Sequence, residues 1–306
     1  MNTREKLKIV KLKAGLGNQM FQYAFYLLLK SEYNCSNVLI DTSYYDNIGY
    51  RKYLDCGLGL LSVRFDVATK EALRRIKVPY NSFKPHHFMH RFVVMFQILF
   101  NRYYYFERNR QFIDVKKVLE YSYFDGYWQS WRYLEPISGQ LYIDFQPKNE
   151  LSDLSKKSIN RYEGQNSVFV GVRRGDYAAT TKSKKHFGTP SEAYYSEGIK
   201  IINRTVDNPL FVIFSDDIGW VKANLDFSSM GVDKDRIEFR EDNLVFSNFE
   251  ELYVMASCKH AIISNSTFNF WGAWLIENPS KVVIAPKQWF SDGRKIDIIP
   301  PTWIQI

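Results

Sequence analysis

The sequence predicts an α/β protein built from two Rossmann-like domains that face one another across a cleft. Three observations support this prediction: a strand, a glycine turn and a helix open the chain, a polar stretch interrupts it near the middle, and a second α/β series follows from residue 168. We expect an N-terminal α/β domain over residues 1–155 and a C-terminal Rossmann-like domain over residues 156–306, whose tail packs back on the first domain.

The N-terminal series begins with alternating apolar residues at 8–12, which predict a strand, and residues 20–29 follow with a helical apolar pattern. A second strand at 37–40 ends in Asp41, which completes a βαβ unit. Residues 60–120 predict helical and irregular structure. The polar segment 150–164 predicts the domain boundary.

The C-terminal series alternates strands with helices. Its helices are predicted from a Ser191 N-cap to residue 203, over 249–257, and across 270–275. Its strands are predicted at residues 168–172, 209–214, 237–239, 260–264 and 281–285.

Composition limits the kind of protein this is. The 306 residues carry a net charge of +8, which favours an anionic partner, and 17% are aromatic, which permits a carbohydrate ligand. The three cysteines are scattered, so we expect neither a disulfide framework nor a zinc site. The sequence shows no secretory signal and no membrane span, which predicts a soluble, cytoplasmic protein. No nucleic-acid motif accompanies the positive charge, so we expect no nucleic-acid partner.

Polar side chains follow three predicted strands of the C-terminal half. Arginines hold phosphate oxygens well, and hydroxyls at a helix start suit a phosphate. Each group also has a plain structural interpretation, either an ion pair at a strand end or a helix cap. Because the three strand ends share one edge of a sheet, we interpret them together as a nucleotide diphosphate pocket. Its residues are Arg173, Arg174, Asp216, Asp217, Asn265, Ser266 and Thr267.

A glycine turn joins the first strand to the first helix. Gly15 and Gly17 allow close approach of a ligand to the backbone, and the amides of Asn18 and Gln19 could bond a phosphate or sugar hydroxyls. The turn lacks the third glycine of the dinucleotide fingerprint.

Other patterns are interpreted as structural. The acidic loop at 233–235 predicts solvated surface, and the basic aromatic tract at 86–112 predicts a packed helix, with an anionic membrane surface as the alternative. The five histidines lack ligand spacing, so we expect no metal and no cofactor besides the substrates.

Several motifs in the same order resemble the bacterial α-1,2-fucosyltransferases, and the resemblance covers nearly the whole chain. The motifs are GLGNQMFQYA at 15–24, GYWQSWRYL at 126–134, VRRGDY at 172–177, HFGTPSEAYY at 186–195, FSDD at 214–217, the long segment at 251–275, PKQWF at 286–290 and DIIPPTWI at 297–304.

The resemblance implies a GT-B-like fold, with the acceptor on the N-terminal side and the GDP-sugar on the C-terminal side. It implies inverting transfer of L-fucose from GDP-β-L-fucose to the 2-hydroxyl of a terminal galactose, without a metal. The acceptor would be a lipid-linked O-antigen or capsule precursor at the inner face of the membrane. Arg173 would bind the diphosphate, an acid of the FSDD turn would recognise the guanine base, and Ser266 with its neighbours would bind the phosphate or ribose.

Two positions depart from the family pattern. Gly171 replaces a usual histidine, and Asn269 with Phe270 replaces a usual serine and tryptophan. Gly171 cannot supply an imidazole contact to the donor.

Catalysis without a metal needs fixed cations at the departing diphosphate, for which Arg173 and Arg174 are the candidates. Asp176 is the predicted base, with Asp125 and Asp217 as rivals. The alternative functions are transfer of another GDP-sugar, formation of another linkage, and GDP-sugar binding without catalysis.

Overall fold

The computed structural model describes residues 6–46, 56–76, 103–174, 188–240 and 248–306. The chain divides into two compact units, one formed by Met1–Lys148 with Ile296–Ile298 and the other by Asn149–Lys295 with Ile299–Ile306. The division therefore falls before the boundary expected after residue 155, and three residues of the tail join the first unit.

The first unit contains a four-stranded parallel sheet with the strand order β2-β1-β4-β3. Its strands are β1 (Lys8–Lys11), β2 (Val38–Asp41), β3 (Tyr104–Phe106) and β4 (Tyr123–Asp125). Its helices are α1 (Leu16–Ser31), α2 (Lys70–Arg75), α3 (Trp131–Leu134) and α4 (Ser138–Asp144). The opening βαβ unit is confirmed.

The prediction of only helical and irregular structure over 60–120 is wrong for β3. This strand has three residues, too few for an alternation signal, and it pairs with β4 along its length. Aromatic packing holds the unit together: the Phe25 ring of α1 stacks on Trp128 with centroids 3.8 Å apart and planes 6° apart.

The second unit contains a six-stranded parallel sheet with the order β10-β9-β8-β5-β6-β7. Its strands are β5 (Ser167–Val172), β6 (Leu210–Ser215), β7 (Ile237–Phe239), β8 (His260–Ile262), β9 (Val283–Ala285) and β10 (Ile304–Gln305). Its helices are α5 (Asp153–Glu163), α6 (Glu192–Thr205), α7 (Ile218–Asn224), α8 (Asn248–Ala256) and α9 (Thr267–Trp274). Short 3₁₀ helices across the two units span Ser43–Asp46, Gly57–Leu60, Val115–Val118, Glu135–Ile137 and Lys234–Arg236.

The N-cap predicted for α6 is confirmed, because Ser191 Oγ accepts a hydrogen bond of 3.3 Å from the Tyr194 N–H. The polar segment at 150–164, in contrast, is mostly helix α5. Its buried face carries Ser155, Ser158 and Tyr162, so small polar residues occupy positions where a helical pattern normally shows apolar ones.

Strand β5 lies between β8 and β6 in the interior of the second sheet, and all six of its residues are buried. The α/β class with two parallel sheets is confirmed. Within the described ranges, no helix combines the length and apolarity needed to cross a bilayer.

Candidate functional site

The strand order of the second unit reverses at β5. From β5 the chain adds β6 and β7 on one side, then returns to place β8, β9 and β10 on the other. Such a reversal opens a crevice at the carboxyl ends of the strands, where α/β proteins bind ligands. Val172 pairs with Ser215 and Val170 with Ile262, so the three polar strand ends meet at one edge, as expected.

Asp216 joins the ends of β5 and β6. Its Oδ2 lies 3.1 Å from Arg173 Nε, and its Oδ1 accepts a hydrogen bond of 2.7 Å from the Arg174 backbone N–H. The side chains of Arg173 and Asp216 remain 36% and 25% exposed. The carboxylate therefore orients the first arginine while leaving it accessible.

Arg174 is held by different contacts. Its guanidinium carbon lies 3.7 Å from the centroid of the Trp220 ring, and Nη1 donates to Thr189 Oγ1 at 3.2 Å. Its Nε is buried and has no hydrogen-bond partner among the described residues. The two adjacent arginines thus present two separately fixed positive charges at the end of the central strand.

Asp217 acts as the N-cap of α7, since its Oδ1 accepts from the Trp220 N–H at 2.9 Å. The helix-cap interpretation therefore applies to Asp217. Asp216 and Asp217 are both exposed, so neither carboxylate is sealed in the core.

The segment after β8 is buried and turns directly into α9. Asn265 Nδ2 donates to the Trp289 carbonyl at 3.0 Å, which fixes the turn. Ser266 occupies the N-cap position of α9, but its side chain makes no cap hydrogen bond. Thr267 is the first residue of the helix and is half-buried. The Ser266 hydroxyl and the first N–H groups of α9 thus lie at the same edge as the arginines.

In the first unit, the glycine turn is arranged differently from the expectation. Gly15 is the N-cap of α1, with Gly17 in its first turn. Gln19 is fully buried, and its amide donates to the Ala14 carbonyl at 2.9 Å and accepts from the Leu58 N–H at 3.2 Å. Asn18 Oδ1 accepts from Gln129 Nε2 at 2.7 Å. The Gln19 side chain therefore shapes the loop, and only the half-buried Asn18 is placed to meet a ligand.

Asp125, a rival candidate for the base, lies buried at the end of β4. Its oxygens are 3.0 Å from Lys11 Nζ and 2.5 Å from Lys13 Nζ, and Tyr104 donates to it at 2.5 Å. Burial alone would raise the pKa of Asp125, but the two lysines outweigh it and hold the pKa well below its usual range. Such a group is a poor proton acceptor, so the structure favours a structural role for Asp125.

Sequence reasoning missed Glu107, which follows β3 at the carboxyl edge of the first sheet. Its Oε2 accepts from the N–H groups of Tyr127 and Trp128 at 2.5 and 3.3 Å, while Oε1 is buried without a partner among the described residues. Burial raises the pKa of Glu107. The strand before it is too short to predict, so the sequence carried no signal for this carboxyl group.

Asp176, the predicted base, and His186 lie outside the described residues, so no position is assigned to either side chain. Across the described ranges, no group of three or more His, Cys, Asp or Glu side chains is arranged to hold a metal ion. Metal independence stays a prediction.

A parallel α/β unit with cationic and hydroxyl groups at its switch point defines a protein of the ligand-binding α/β class. Comparisons with known proteins specify the class further. The family model for glycosyl transferase family 11 matches residues 67–306.

Two relatives align along nearly the whole chain and a third along about half of it. An α-1,2-colitosyltransferase of Escherichia coli is 31% identical over 312 residues, covering 97% of this chain and 98% of its own. The O-antigen biosynthesis glycosyltransferase WbnK of Escherichia coli is 26% identical, covering 96% and 99%. A galactoside α-(1,2)-fucosyltransferase 1 of Saimiri sciureus is 27% identical over 49% of this chain and 42% of its own.

Among solved structures, an Arabidopsis thaliana FUT1 mutant in complex with GDP aligns with a TM-score of 0.49 and 11% identity, covering 91% of this chain and 70% of its own. Fucosyltransferase NodZ from Bradyrhizobium aligns with a TM-score of 0.46 and 12% identity, covering 88% and 92%.

The chain belongs to glycosyl transferase family 11. It is therefore a glycosyltransferase whose relatives include α-1,2-fucosyl- and α-1,2-colitosyltransferases.

Proposed function

We propose that this enzyme transfers L-fucose from GDP-β-L-fucose to the 2-hydroxyl of a terminal galactose, with inversion and without a metal. The observation that carries the proposal is the pair of separately fixed arginines, Arg173 and Arg174, at the switch point of the second unit. Two fixed cations beside the N-terminus of α9 suit the two phosphoryl groups of a nucleotide sugar. The α-1,2 linkage is supported by the relatives.

The reaction requires charge stabilisation on the leaving group. The acceptor 2-oxygen attacks the anomeric carbon as the bond from that carbon to the phosphate oxygen breaks, and both electrons of that bond leave with GDP. Arg173, Arg174 and the first N–H groups of α9 stabilise the developing negative charge. Because these groups are oriented by Asp216, Trp220 and the β8 turn, little reorganisation is needed.

The acceptor hydroxyl loses its proton as it attacks. Asp176 is proposed as the base that takes this proton, a contribution typically worth 10²–10⁴-fold in rate. The proposal draws on its position two residues after Arg174 and on the role of Asp125 as a buried ion-pair partner.

A second candidate donor is GDP-colitose. Colitose is L-fucose without its 3-hydroxyl, and the colitosyltransferase relative aligns over 97% of this chain. Gly171, which offers no side chain at the carboxyl end of β5, is compatible with either donor sugar.

The test incubates the purified protein with GDP-fucose, GDP-colitose or GDP-mannose and a panel of galactosides, with and without EDTA. GDP release and linkage analysis of the product are the measurements. We expect an α-1,2-linked fucoside that forms equally well in EDTA. Formation of a colitoside without any fucoside would identify GDP-colitose as the donor. Absence of product with every donor would contradict the proposed function.

The proposal extends to the acceptor and to the place of the reaction in the cell. The name of one relative, an O-antigen biosynthesis glycosyltransferase, supports an O-antigen precursor as the acceptor, and the name of the galactoside α-(1,2)-fucosyltransferase supports a terminal galactose on it. The net charge of +8 supports cytoplasmic action at the anionic inner face of the membrane, where such a precursor would be presented.

A further inference from the structure

Gly171 and Asn269 approach each other more closely than any side chain at position 171 would permit. Gly171 is the penultimate residue of β5, and Asn269 lies in the first turn of α9. A Cβ atom on Gly171 would lie 2.2 Å from Asn269 Oδ1 and 2.6 Å from its Cγ. The Asn269 amide therefore fills the place of a β5 side chain, and these two positions must change together.

The Asn269 amide is fixed in this place. The residue is only 7% exposed, and its Oδ1 accepts a hydrogen bond of 2.6 Å from Ser264 Oγ. With Oδ1 turned to Ser264, Nδ2 has no hydrogen-bond partner among the described residues. Nδ2 is not one of the fully buried unpaired atoms, so it keeps the small exposed surface of the residue and its N–H groups remain available to a ligand.

The groups around this amide are hydrogen-bond donors. Ser266 leaves its hydroxyl out of the α9 cap, and the N–H groups of the first turn of α9 point the same way. Arg173 follows Gly171 by two residues and presents its guanidinium at the same strand end. A cluster of donors beside a helix N-terminus selects an oxyanion.

We propose that Asn269 is a donor-binding residue, whose Nδ2 donates a hydrogen bond to the diphosphate of the nucleotide sugar. Gly171 has no side chain and therefore leaves room for the Asn269 amide. This inference rests on the proposed function only for the identity of the ligand. It also explains Gly171 and Asn269, two of the positions that depart from the family pattern, as one exchange, in which a side chain is lost at 171 and a longer one is gained at 269.

The test compares Asn269→Ala, Gly171→Ala and the double variant, using calorimetry with GDP, ligand-observed NMR with guanosine, and thermal unfolding. Loss of one hydrogen bond to a charged group predicts roughly tenfold weaker GDP binding by Asn269→Ala, with guanosine binding unchanged. Gly171→Ala should displace the amide, which gives a similar loss and a lower Tm. The double variant should recover that Tm and bind GDP as Asn269→Ala does.

Gly272→Ala is the matched steric control. It lies in the same helix, and its added Cβ would meet Met255 Cβ at 3.0 Å. We expect a lower Tm with unchanged GDP affinity, and no recovery of that Tm when Asn269→Ala is added.

Two results would overturn the inference: GDP affinity of Asn269→Ala equal to that of the wild type, or fully additive losses in the double variant. If Gly171→Ala fails to fold, the GDP affinities of Asn269→Ala and of the double variant still show whether Asn269 contacts the diphosphate. A wild-type protein that binds no GDP would instead contradict the proposed function.

Discussion

Arg173 and Asp216 form an ion pair of 3.1 Å that links the ends of neighbouring strands at the switch point of the second unit. The pair is partly exposed, so its own contribution to stability is small. Its importance lies in geometry, because the carboxylate orients the guanidinium before a ligand arrives. The proposed binding of the diphosphate depends on this preoriented guanidinium group of Arg173.

Replacing Arg173 tests the phosphate contact directly. We expect Arg173→Ala to weaken GDP binding roughly 10- to 100-fold, since it removes hydrogen bonds between charged groups, and to abolish transfer. Because the side chain is 36% exposed, the fold and Tm should be nearly unchanged. Arg173→Lys keeps the charge and should be intermediate. Wild-type GDP affinity in Arg173→Ala would remove Arg173 from the phosphate site.

The N-cap of α7 gives a prediction about stability. Asp217→Ala should lower the free energy of unfolding by about 1 kcal/mol, since the Trp220 N–H loses its acceptor. Asp217→Ser keeps a capping oxygen and should retain most of that stability. Urea denaturation measures both variants, and equal losses in the two would show that the cap contributes nothing.

The buried Asp125 predicts a dependence of stability on acid pH. Its pKa in the folded state lies well below the unfolded value of about 3.9, so its stabilisation is complete above that pH and is lost as pH falls toward the folded pKa. Asp125→Asn should cost about 3–5 kcal/mol at pH 7, because Lys11 and Lys13 lose their buried counter-charge.

Acid titration of the free energy of unfolding checks this. The wild type should lose stability below about pH 4, and the difference between wild type and Asp125→Asn should shrink there. A difference that stays constant with pH would contradict the assignment.

The proposed base is tested by Asp176→Asn. We expect GDP binding close to that of the wild type and a rate of transfer lower by 10²–10⁴-fold, because only proton removal from the acceptor is affected. Glu107→Gln is a useful comparison, since Glu107 follows strand β3 and burial raises the pKa of its carboxyl group. Full activity of Asp176→Asn would remove it as the base.

The sequence predicted the second unit well because its strands carry continuous apolar runs that end in polar residues. Arg173, Asp216 and Ser266 could therefore be assigned to one sheet edge. The short strand β3 and the serine-rich buried face of α5 gave no periodic signal. The contacts of Gln19, and the exchange between Gly171 and Asn269, depend on side chains of distant segments and required coordinates.

Isothermal titration of the wild-type protein with GDP tests the central claim most directly. The account predicts saturable binding of one GDP per chain that weakens in Arg173→Ala. A folded protein that releases no heat of binding with GDP, and whose Tm GDP does not raise, would contradict the assignment of the β5 switch point as a nucleotide site.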